Sequence, residues 1–576
     1  MSTSSRRGVL LVVLLLIVAA CVSGVGLLFI ALAGGAPPTV PASATVYLNI
    51  AAPYDEVQTI EPIFVTEKPT LKATVDGIAE AARDSRVKAL VILPQAEGAL
   101  WGQLQELRSA LVAFRKSGKP LTAYLEYGGA QEYYLASAAD RVVMMPAGQL
   151  DLTGLASYEL FFRGALDKLG VLPDMMHIGD YKTYSNTFTE HDFTPAHREM
   201  TTSLNREWYD QLVAAIADGR KRSEADVRTA IDAGPFLAEE ALRAGLVDQL
   251  AYEDDLAKAP PIRGTSRMDG GDYLRAAPPP APGPSRVALL YAVGTIASGK
   301  SSFDGLSGTV LGSDTFADWV RKVRLDPSIK AIIVRIDSPG GSAIASESMW
   351  HELALAREVK PVIVSMGNVA ASGGYYIATP ADVIVAEPGT ITGSIGIVTG
   401  KFVVKGTLDK IGVGEDSVAN GKFAQIDSPF QPFSTEERAR IDAEMHSTYE
   451  LFLRRVADGR HSTPEQIDRI GQGRVWTGSQ ARERHLVDEL GGLDTAIAIA
   501  KQKAKLDPGK DVDLVIYPMK RTIFDWLQDP FGSTSDAEAT VLLRRPEVRA
   551  ITAAASMAGL FHRGELLAVL PSVFWN

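Results

Sequence analysis

Residues 360–378 read KPVIVSMGNVAASGGYYIA, and they predict a strand that turns sharply into a helix. Residues 361–366 are a short apolar run with the composition of a buried parallel strand, and the residues from Tyr375 onward can begin a helix. The turn between them is made of small residues, which are Gly367, Ala370, Ala371, Ser372, Gly373 and Gly374. Because glycine tolerates backbone angles that other residues avoid, the chain can reverse tightly here and a ligand can approach the backbone.

Ser372 is placed by this pattern at the N-terminal end of the helix. Free N–H groups and the helix dipole favour negative charge at such an end, which suits a nucleophile whose attack creates an oxyanion. The same letters also fit a Gly/Ser turn that merely packs tightly. This stretch alone does not separate the two interpretations.

Composition describes a globular, acidic protein of 576 residues with a net charge of -11. This length is enough for roughly four domains. A negative net charge with no basic stripe argues against nucleic acid as a partner. The single cysteine, Cys21, excludes an internal disulfide and a cysteine-based metal site, and no HExxH spacing occurs. We therefore expect no metal and no cofactor.

The N-terminus predicts a membrane anchor over residues 1–36. Residues 8–35 carry no charge and are long enough to cross a bilayer core of about 30 Å as a helix. Arg6 and Arg7 precede this run, which predicts a cytoplasmic N-terminus and an external bulk. The alternative is a cleaved lipoprotein signal, because residues 18–21, VAAC, resemble a lipobox that would lipidate Cys21. The apolar run continues past Cys21, which favours the uncleaved anchor.

The rest of the chain repeats itself at an offset of 242 residues. DSRVKALVI at 84–92 aligns with DPSIKAIIV at 326–334, and GALDKLGV at 164–171 aligns with GTLDKIGV at 406–413. Such a period indicates a tandem duplication. The predicted domains are a first repeat at 45–262, a Pro/Gly-rich linker at 263–286, a second repeat at 287–517 and an extension at 518–576. Apolar runs alternate with helical stretches in each repeat, which predicts two α/β domains with parallel sheets and a site where they meet.

The two repeats differ where chemistry would be expected. At the same offset Ser372 corresponds to Ala130, and Lys182 corresponds to Ala424. One repeat thus kept a serine and the other a lysine, which is the pattern of a divided active site. A lone lysine is usually a solvated surface residue, so the complementary loss is what supports a functional interpretation.

We predict that Ser372 is a nucleophile and that Lys182 is its general base. A serine hydroxyl needs a base close by, and a lysine can serve if burial lowers its pKa. Apolar residues near Lys182 that could desolvate it are Ile178, Tyr181, Tyr184 and Phe188. A Ser–His arrangement through His351 is a less favoured alternative, because no histidine is close to Ser372 in sequence.

Backbone donors for an oxyanion are predicted in residues 337–341, DSPGG, which follow an apolar strand. Gly340 or Gly341, together with the N–H of Gly373, is the candidate pair. The alternative for the same letters is a simple Pro-Gly turn. A second small-residue loop, TGSIG at 392–396, contains Ser394, which we expect to hydrogen-bond the lysine amine and orient it.

Four motifs together resemble the signal peptide peptidase A family, also called protease IV, in its long duplicated form. The motifs are DSPGG at 337–341, AASGGYYIA at 370–378, TGSIGIV at 392–398 and RVWTGSQARERHLVDELGG at 474–492. The resemblance implies two Clp-protease/crotonase-like domains and a serine endopeptidase with a Ser372–Lys182 dyad. It also implies a bowl-shaped homotetramer in the bacterial inner membrane, with periplasmic catalytic domains that clear cleaved signal peptides and other extended apolar peptides. Cys21 and the 518–576 extension depart from it, and we expect the extension to cover an edge or contact a neighbour.

Two other functions compete with this one. Residues 294–301, GTIASGKS, match the phosphate-loop pattern GxxxxGK[ST] of nucleotide hydrolases. A phosphate loop must open a helix at its Lys-Ser, whereas SSFDGLSG at 301–308 has no helical period. The third class is a catalytically inactive membrane scaffold, which predicts no hydrolysis and no acylation of Ser372.

Overall fold

The computed structural model describes residues 38–57, 69–277, 283–304, 308–519, 566–570 and 574–575. In the first half of the chain seven of the described strands form a mainly parallel sheet. Its strands in spatial order are Phe236–Leu237, Arg141–Leu150, Leu121–Gly128, Val87–Gln95, Ala44–Ala51 and Ser266–Asp269, with Gln249–Leu250 beside Arg141–Leu150.

The second half builds a matching eight-stranded sheet. Its order is Val475–Thr477, Ile391–Gly393, Val362–Ala371, Ile329–Ser338, Arg286–Val293 and Asp513–Tyr517. Val383–Ala386 adds beside Val362–Ala371, and Glu489–Leu490 adds beside Val383–Ala386. The central strand Ile329–Ser338 is buried at nearly every position, as expected for a parallel strand covered by helices on both faces. Both halves are therefore mixed α/β units built on the same plan.

Helices cover these sheets. In the first half they are Leu71–Arg83, Trp101–Arg115, Ala130–Ala136, Arg163–Leu169, the 3₁₀ turn Thr183–Ser185, Asn186–Thr189, Pro195–Arg220, Glu224–Ala233, Ala238–Arg243, Glu253–Leu256 and Gly270–Ala276. In the second half they are Ser313–Leu325, Ala343–Arg357, Gly373–Ala378, Lys405–Lys410, Thr435–Gly459, Pro464–Ile470, Gly478–Glu483 and Leu493–Lys503. The longest helix in each half starts at a hydroxyl N-cap, Thr194 or Ser434, whose oxygen accepts a backbone N–H and so fixes where the helix begins.

A third sheet joins the two halves. Its spatial order is Ser302–Asp304, Gly308–Gly312, Thr295–Ala297, Gly340–Ser342, Leu567–Val569, Ile397–Val403 and Leu172–Ile178. The last two strands come from different repeats and pair antiparallel, with Ile178 opposite Ile397. A separate two-stranded ribbon pairs Ser157–Tyr158 with Phe574–Trp575. The chain segment that follows residue 178 is thereby brought to the second half of the protein.

The folded segments differ from the predicted ones in two places. The strand expected at 361–366 extends over Val362–Ala371, because its C-terminal part pairs with a further strand, Val369 opposite Ile391. Folded structure also continues into the predicted linker 263–286, since Ser266–Asp269 forms an edge strand and Gly270–Ala276 a helix.

The predicted anchor, residues 8–35, lies outside the described residues, as does most of the 518–576 extension. Among the residues that are described, no helix combines the length and the apolar character needed to cross a membrane.

A buried charge cluster lies at the contact between the two halves. The guanidinium of Arg335, which is fully buried, pairs with Glu56 at 2.8 Å and with Glu106 at 2.5 Å, both from the first half. Burial raises the pKa of Glu106 and of the neighbouring Asp337 to about 7, and that of Glu387 to about 8. Arg335 lowers the pKa of all three carboxyls and so offsets part of the effect of their burial and mutual repulsion.

Replacing Arg335 by methionine is expected to destabilise the protein by about 3–5 kcal/mol, because the carboxyls lose their buried counter-charge. Without the arginine the fold requires these carboxyls to hold protons, so the loss should grow as the pH rises from about 6 to about 8. Urea unfolding at the two pH values measures both effects. The matched control is Arg357→Met at the partly exposed ion pair with Asp382, where about 1 kcal/mol or less is expected. A similar small loss in both variants would contradict the prediction.

Candidate active site

Ser372 occupies the turn between a strand and a helix, as the sequence predicts. Its backbone has φ 55° and ψ −112°, a conformation that residues other than glycine rarely adopt and that is concentrated at functional sites. Two hydrogen bonds hold this geometry. The Ser372 N–H donates to the Gly393 carbonyl at 2.8 Å, and the Tyr376 N–H donates to the Ser372 carbonyl at 2.8 Å. The strained turn is therefore fixed by the second repeat itself.

The glycines after Ser372 are required by close packing. A Cβ on Gly373 would lie 2.7 Å from Ser346 Oγ, and a Cβ on Gly374 would lie 2.7 Å from the Ser338 carbonyl oxygen. Real Cβ atoms essentially never approach other heavy atoms so closely. Small residues at these two positions thus let the helix start directly against the Ser338 turn.

Lys182 reaches the same place from the first repeat. The strand Leu172–Ile178 ends at Gly179, whose φ of 97° turns the chain, and the Lys182 N–H donates back to the Gly179 carbonyl at 3.1 Å. The backbone here packs directly on the second repeat. A Cβ on Gly179 would lie 2.3 Å from the Gln472 carbonyl carbon, and a Cβ on Gly473 would lie 2.4 Å from the backbone nitrogen of Lys182. Glycines on both sides therefore allow the lysine segment to dock.

The two side chains meet in the interior. Lys182 Nζ lies 2.7 Å from Ser372 Oγ, 3.1 Å from Ser394 Oγ and 3.2 Å from the Ser394 carbonyl oxygen. Lys182 is 1% exposed, and both serines are fully buried. Removal from water penalises the ammonium form and lowers the pKa of Lys182 well below its ordinary 10.5. The geometry provides an amine that favours its neutral form beside a hydroxyl.

The four apolar residues expected to desolvate the amine differ in how deeply they are buried. Tyr184 and Phe188 are buried in one cluster with Val398, whereas Ile178 and Tyr181 are only half-buried. Two of the four residues named from the sequence are therefore withdrawn from water.

Gly340, Gly341 and Gly373 form one corner next to Ser372. Both Gly340 and Gly341 have positive φ, 98° and 153°, and a Cβ on Gly340 would lie 2.6 Å from the Gly373 nitrogen. The Gly340 N–H donates to Ser338 Oγ at 3.2 Å, and this hydroxyl donates to the Gly294 carbonyl at 2.6 Å. Because the Gly340 N–H is used within the turn, Gly341 and Gly373 are the better-placed pair of donors.

Two alternatives from the sequence find no support. The His351 side chain is exposed, whereas Ser372 is fully buried. The phosphate-loop interpretation of residues 294–301 is wrong, because Thr295–Ala297 is a strand and the next element, Ser302–Asp304, is again a strand. A phosphate loop needs a helix at that point, whose N-terminal N–H groups would bind the phosphates.

Sequence reasoning missed two contributors to the site. Ser338, which holds the glycine turn, stands inside the DSPGG motif, so the motif itself was an available signal. The strand Leu567–Val569, which lies beside Gly340–Ser342, had no such signal. Its pairing joins segments more than 200 residues apart, and no local pattern records that.

A sequence profile and curated relatives named as proteases indicate the family of this chain. The sequence profile described as "Peptidase family S49" matches residues 113–260 and 354–507. A chloroplastic serine protease SPPA of Arabidopsis thaliana is 33% identical over 451 residues, 76% of this chain and 66% of its own length. Protease 4 of Salmonella typhi is 38% identical over 473 residues, 79% of this chain and 75% of its own length. A solved ClpP1 variant from Listeria monocytogenes aligns with a TM-score of 0.24 and 15% identity, over 36% of this chain and 93% of its own. The chain belongs to peptidase family S49, the serine peptidases that include these protease 4 and SPPA relatives.

Proposed function

We propose that this serine peptidase is an endopeptidase that uses Ser372 as its nucleophile and Lys182 as its general base. The observation that carries the proposal is the 2.7 Å separation between a buried lysine amine and a buried serine hydroxyl contributed by different repeats. The neutral amine takes the hydroxyl proton as Ser372 Oγ attacks the scissile carbonyl. The ammonium then returns the proton to the leaving amine, which breaks the peptide bond and leaves an acyl ester on Ser372. Water, activated by the same amine, hydrolyses the ester.

The remaining site residues have supporting roles in this proposal. The N–H groups of Gly341 and Gly373 stabilise the oxyanion of the tetrahedral intermediate, and Ser338 holds their turn through Gly340. Ser394 contacts the lysine amine through both its hydroxyl and its carbonyl, so it orients the lone pair of Lys182 toward Ser372. These contacts fix the amine without adding a carboxylate that would favour its charged form.

The proposed substrate and cellular setting are supported by the resemblance to the family and by the N-terminal sequence. We propose extended, largely apolar peptides as substrates, including cleaved signal peptides, because buried apolar residues surround the site. We also propose a homotetramer with two Clp-protease/crotonase-like domains per chain. Residues 8–35 would anchor it in a bacterial inner membrane with a cytoplasmic N-terminus and periplasmic catalytic domains, with lipidation at Cys21 as the alternative.

A fluorophosphonate probe tests the proposed site directly. We expect one adduct, at Ser372, located by peptide mass spectrometry. Its rate of formation should rise with pH through the lowered pKa of Lys182, because only the neutral amine accepts the serine proton. Lys182→Met should remove both the adduct and its pH dependence, while Ser348→Ala, at an exposed serine, should change neither. A folded protein that neither labels at Ser372 nor hydrolyses peptides would favour the inactive scaffold and end the proposal.

A further inference from the structure

We propose that the strand Leu567–Val569, hereafter the tail strand, occupies the peptide-binding groove of its own chain, so that substrates must displace it before they can be cut. The inference rests on the proposed function of Ser372, and it adds a resident competitor to that site. The evidence is the position of the tail strand in the third sheet, its contacts beside Ser372 and the burial of its side chains.

The tail strand completes a sheet that would otherwise have an open slot. It pairs antiparallel with Gly340–Ser342 on one side and contacts Ile397–Val403 on the other, where Leu567 lies opposite Val398. Bonds at both ends fix its register. The Leu570 N–H donates to the Pro339 carbonyl at 2.8 Å, and the Ala343 N–H donates to the Leu566 carbonyl at 3.2 Å. Addition of a strand to a free edge is a common way for proteins to bind extended peptides.

The carbonyl of Ala568 lies in the corner where a scissile carbonyl would be expected. In an antiparallel pair of strands, every second pair of opposite residues is hydrogen-bonded. Because Pro339 with Leu570 and Ala343 with Leu566 are such pairs, Gly341 and Ala568, which lie opposite each other between them, form one too. A Cβ on Gly340 would lie 2.0 Å from the Ala568 carbonyl oxygen, and a Cβ on Gly373 would lie 3.2 Å from it. The oxygen therefore sits among the glycines assigned to the oxyanion, and the bare backbone is what admits it.

The side chains of the tail strand fill the groove on both faces. Leu567 and Val569 are 1% and 2% exposed, and they pack in the cluster that contains Tyr184 and Phe188. Ala568 points to the opposite face, as alternate residues of a strand do, and is fully buried in the core of the second half. The groove thus accepts a small residue flanked by apolar ones, which is the same chemistry as the proposed substrates.

A competitor in the same chain has a high effective concentration. The effective concentration of a tethered ligand reaches roughly millimolar for short linkers and falls only gradually as the linker lengthens, so even weak strand pairing competes with dilute peptide. Residues beyond the tail strand are also held, since Phe574–Trp575 pairs with Ser157–Tyr158. Both sides of the Ala568 carbonyl are therefore retained, which favours an occupant over a substrate that leaves.

The test is Val569→Asp in the full chain. A buried carboxylate among apolar side chains should expel the tail strand, and we expect kcat/KM for a fluorogenic apolar peptide to rise by about 10-fold or more, mainly through a lower KM. The matched control is Val359→Asp, at a valine that is 63% exposed, for which no change is expected. If Val569→Asp does not fold, Leu570→Pro replaces it, because proline removes the N–H that bonds the Pro339 carbonyl.

Two further measurements complete the design. Blocked peptide LLAVL, the sequence of residues 566–570, should inhibit Val569→Asp competitively and the wild type far less. Mass spectrometry of the intact protein should show an unbroken wild-type chain. If the wild type is cut after Ala568 and Ser372→Ala is not, the tail strand is a substrate and the proposal is overturned.

Unchanged kcat/KM in a folded Val569→Asp would also overturn the proposal about the tail strand. Loss of activity in Ser372→Ala would leave the proposed function standing in that case. If no variant is active and Ser372 stays unlabelled, the proposed function itself fails.

Discussion

Replacing Ser372 by alanine is expected to lower peptide turnover by about 10⁴-fold or more, because it removes the proposed nucleophile, the hydroxyl that lies 2.7 Å from the Lys182 amine. The side chain is fully buried and loses only one oxygen, so the fold should survive. Steady-state kinetics on a fluorogenic peptide measure the loss, and thermal melting checks the fold.

Ser348 provides the control for this variant. It is an exposed serine on the helix Ala343–Arg357, and Ser348→Ala should retain wild-type rates. Substantial turnover by a folded Ser372→Ala would remove Ser372 from the mechanism.

Replacing Lys182 by methionine should lower turnover about as much, although methionine preserves most of the volume of the side chain. The substitution removes the amine that lies 2.7 Å from the Ser372 hydroxyl and is proposed to take its proton. The double variant with Ser372→Ala should be no slower than either single variant, because the two residues act as one unit.

The stability of Lys182→Met, unlike its activity, should be equal to or greater than that of the wild type at neutral pH. The folded pKa of Lys182 is lowered, so unfolding at neutral pH takes up a proton and the buried amine opposes folding there. This cost fades as the pH rises toward 10.5, the ordinary value for lysine. Lys182→Met should therefore melt at the same or a higher temperature at neutral pH while being inactive.

Lys300 is the matched lysine control, since it is exposed and belongs to the discarded phosphate loop. Lys300→Ala should keep full activity. Activity in Lys182→Met that matches that of Lys300→Ala would exclude Lys182 as the base.

Much of this arrangement could be predicted because duplication supplies an internal comparison. Ser372 opposite Ala130, and Lys182 opposite Ala424, identified the two residues without any structure. The alternation of apolar runs and helical stretches likewise predicted α/β halves, since buried strands and amphipathic helices leave local periodic patterns.

Other features left no such pattern. The strand Val362–Ala371 is longer than predicted because its second part is stabilised by Ile391–Gly393, a partner outside any local window. Helix Gly270–Ala276 forms inside a segment read as linker, where packing outweighs the low helix propensity of its glycines.

The amino-acid sequence by itself determined which residues are candidates for the chemistry of the site, because residue identity decides which atoms can attack, accept a proton or approach without a side chain. Tertiary structure alone decided that Lys182 and Ser372 meet at 2.7 Å, and that Leu567–Val569 lies beside them. Both contacts depend on strand pairing between distant segments. The free energy of that pairing comes from shared burial and interstrand hydrogen bonds, which no single stretch of sequence contains.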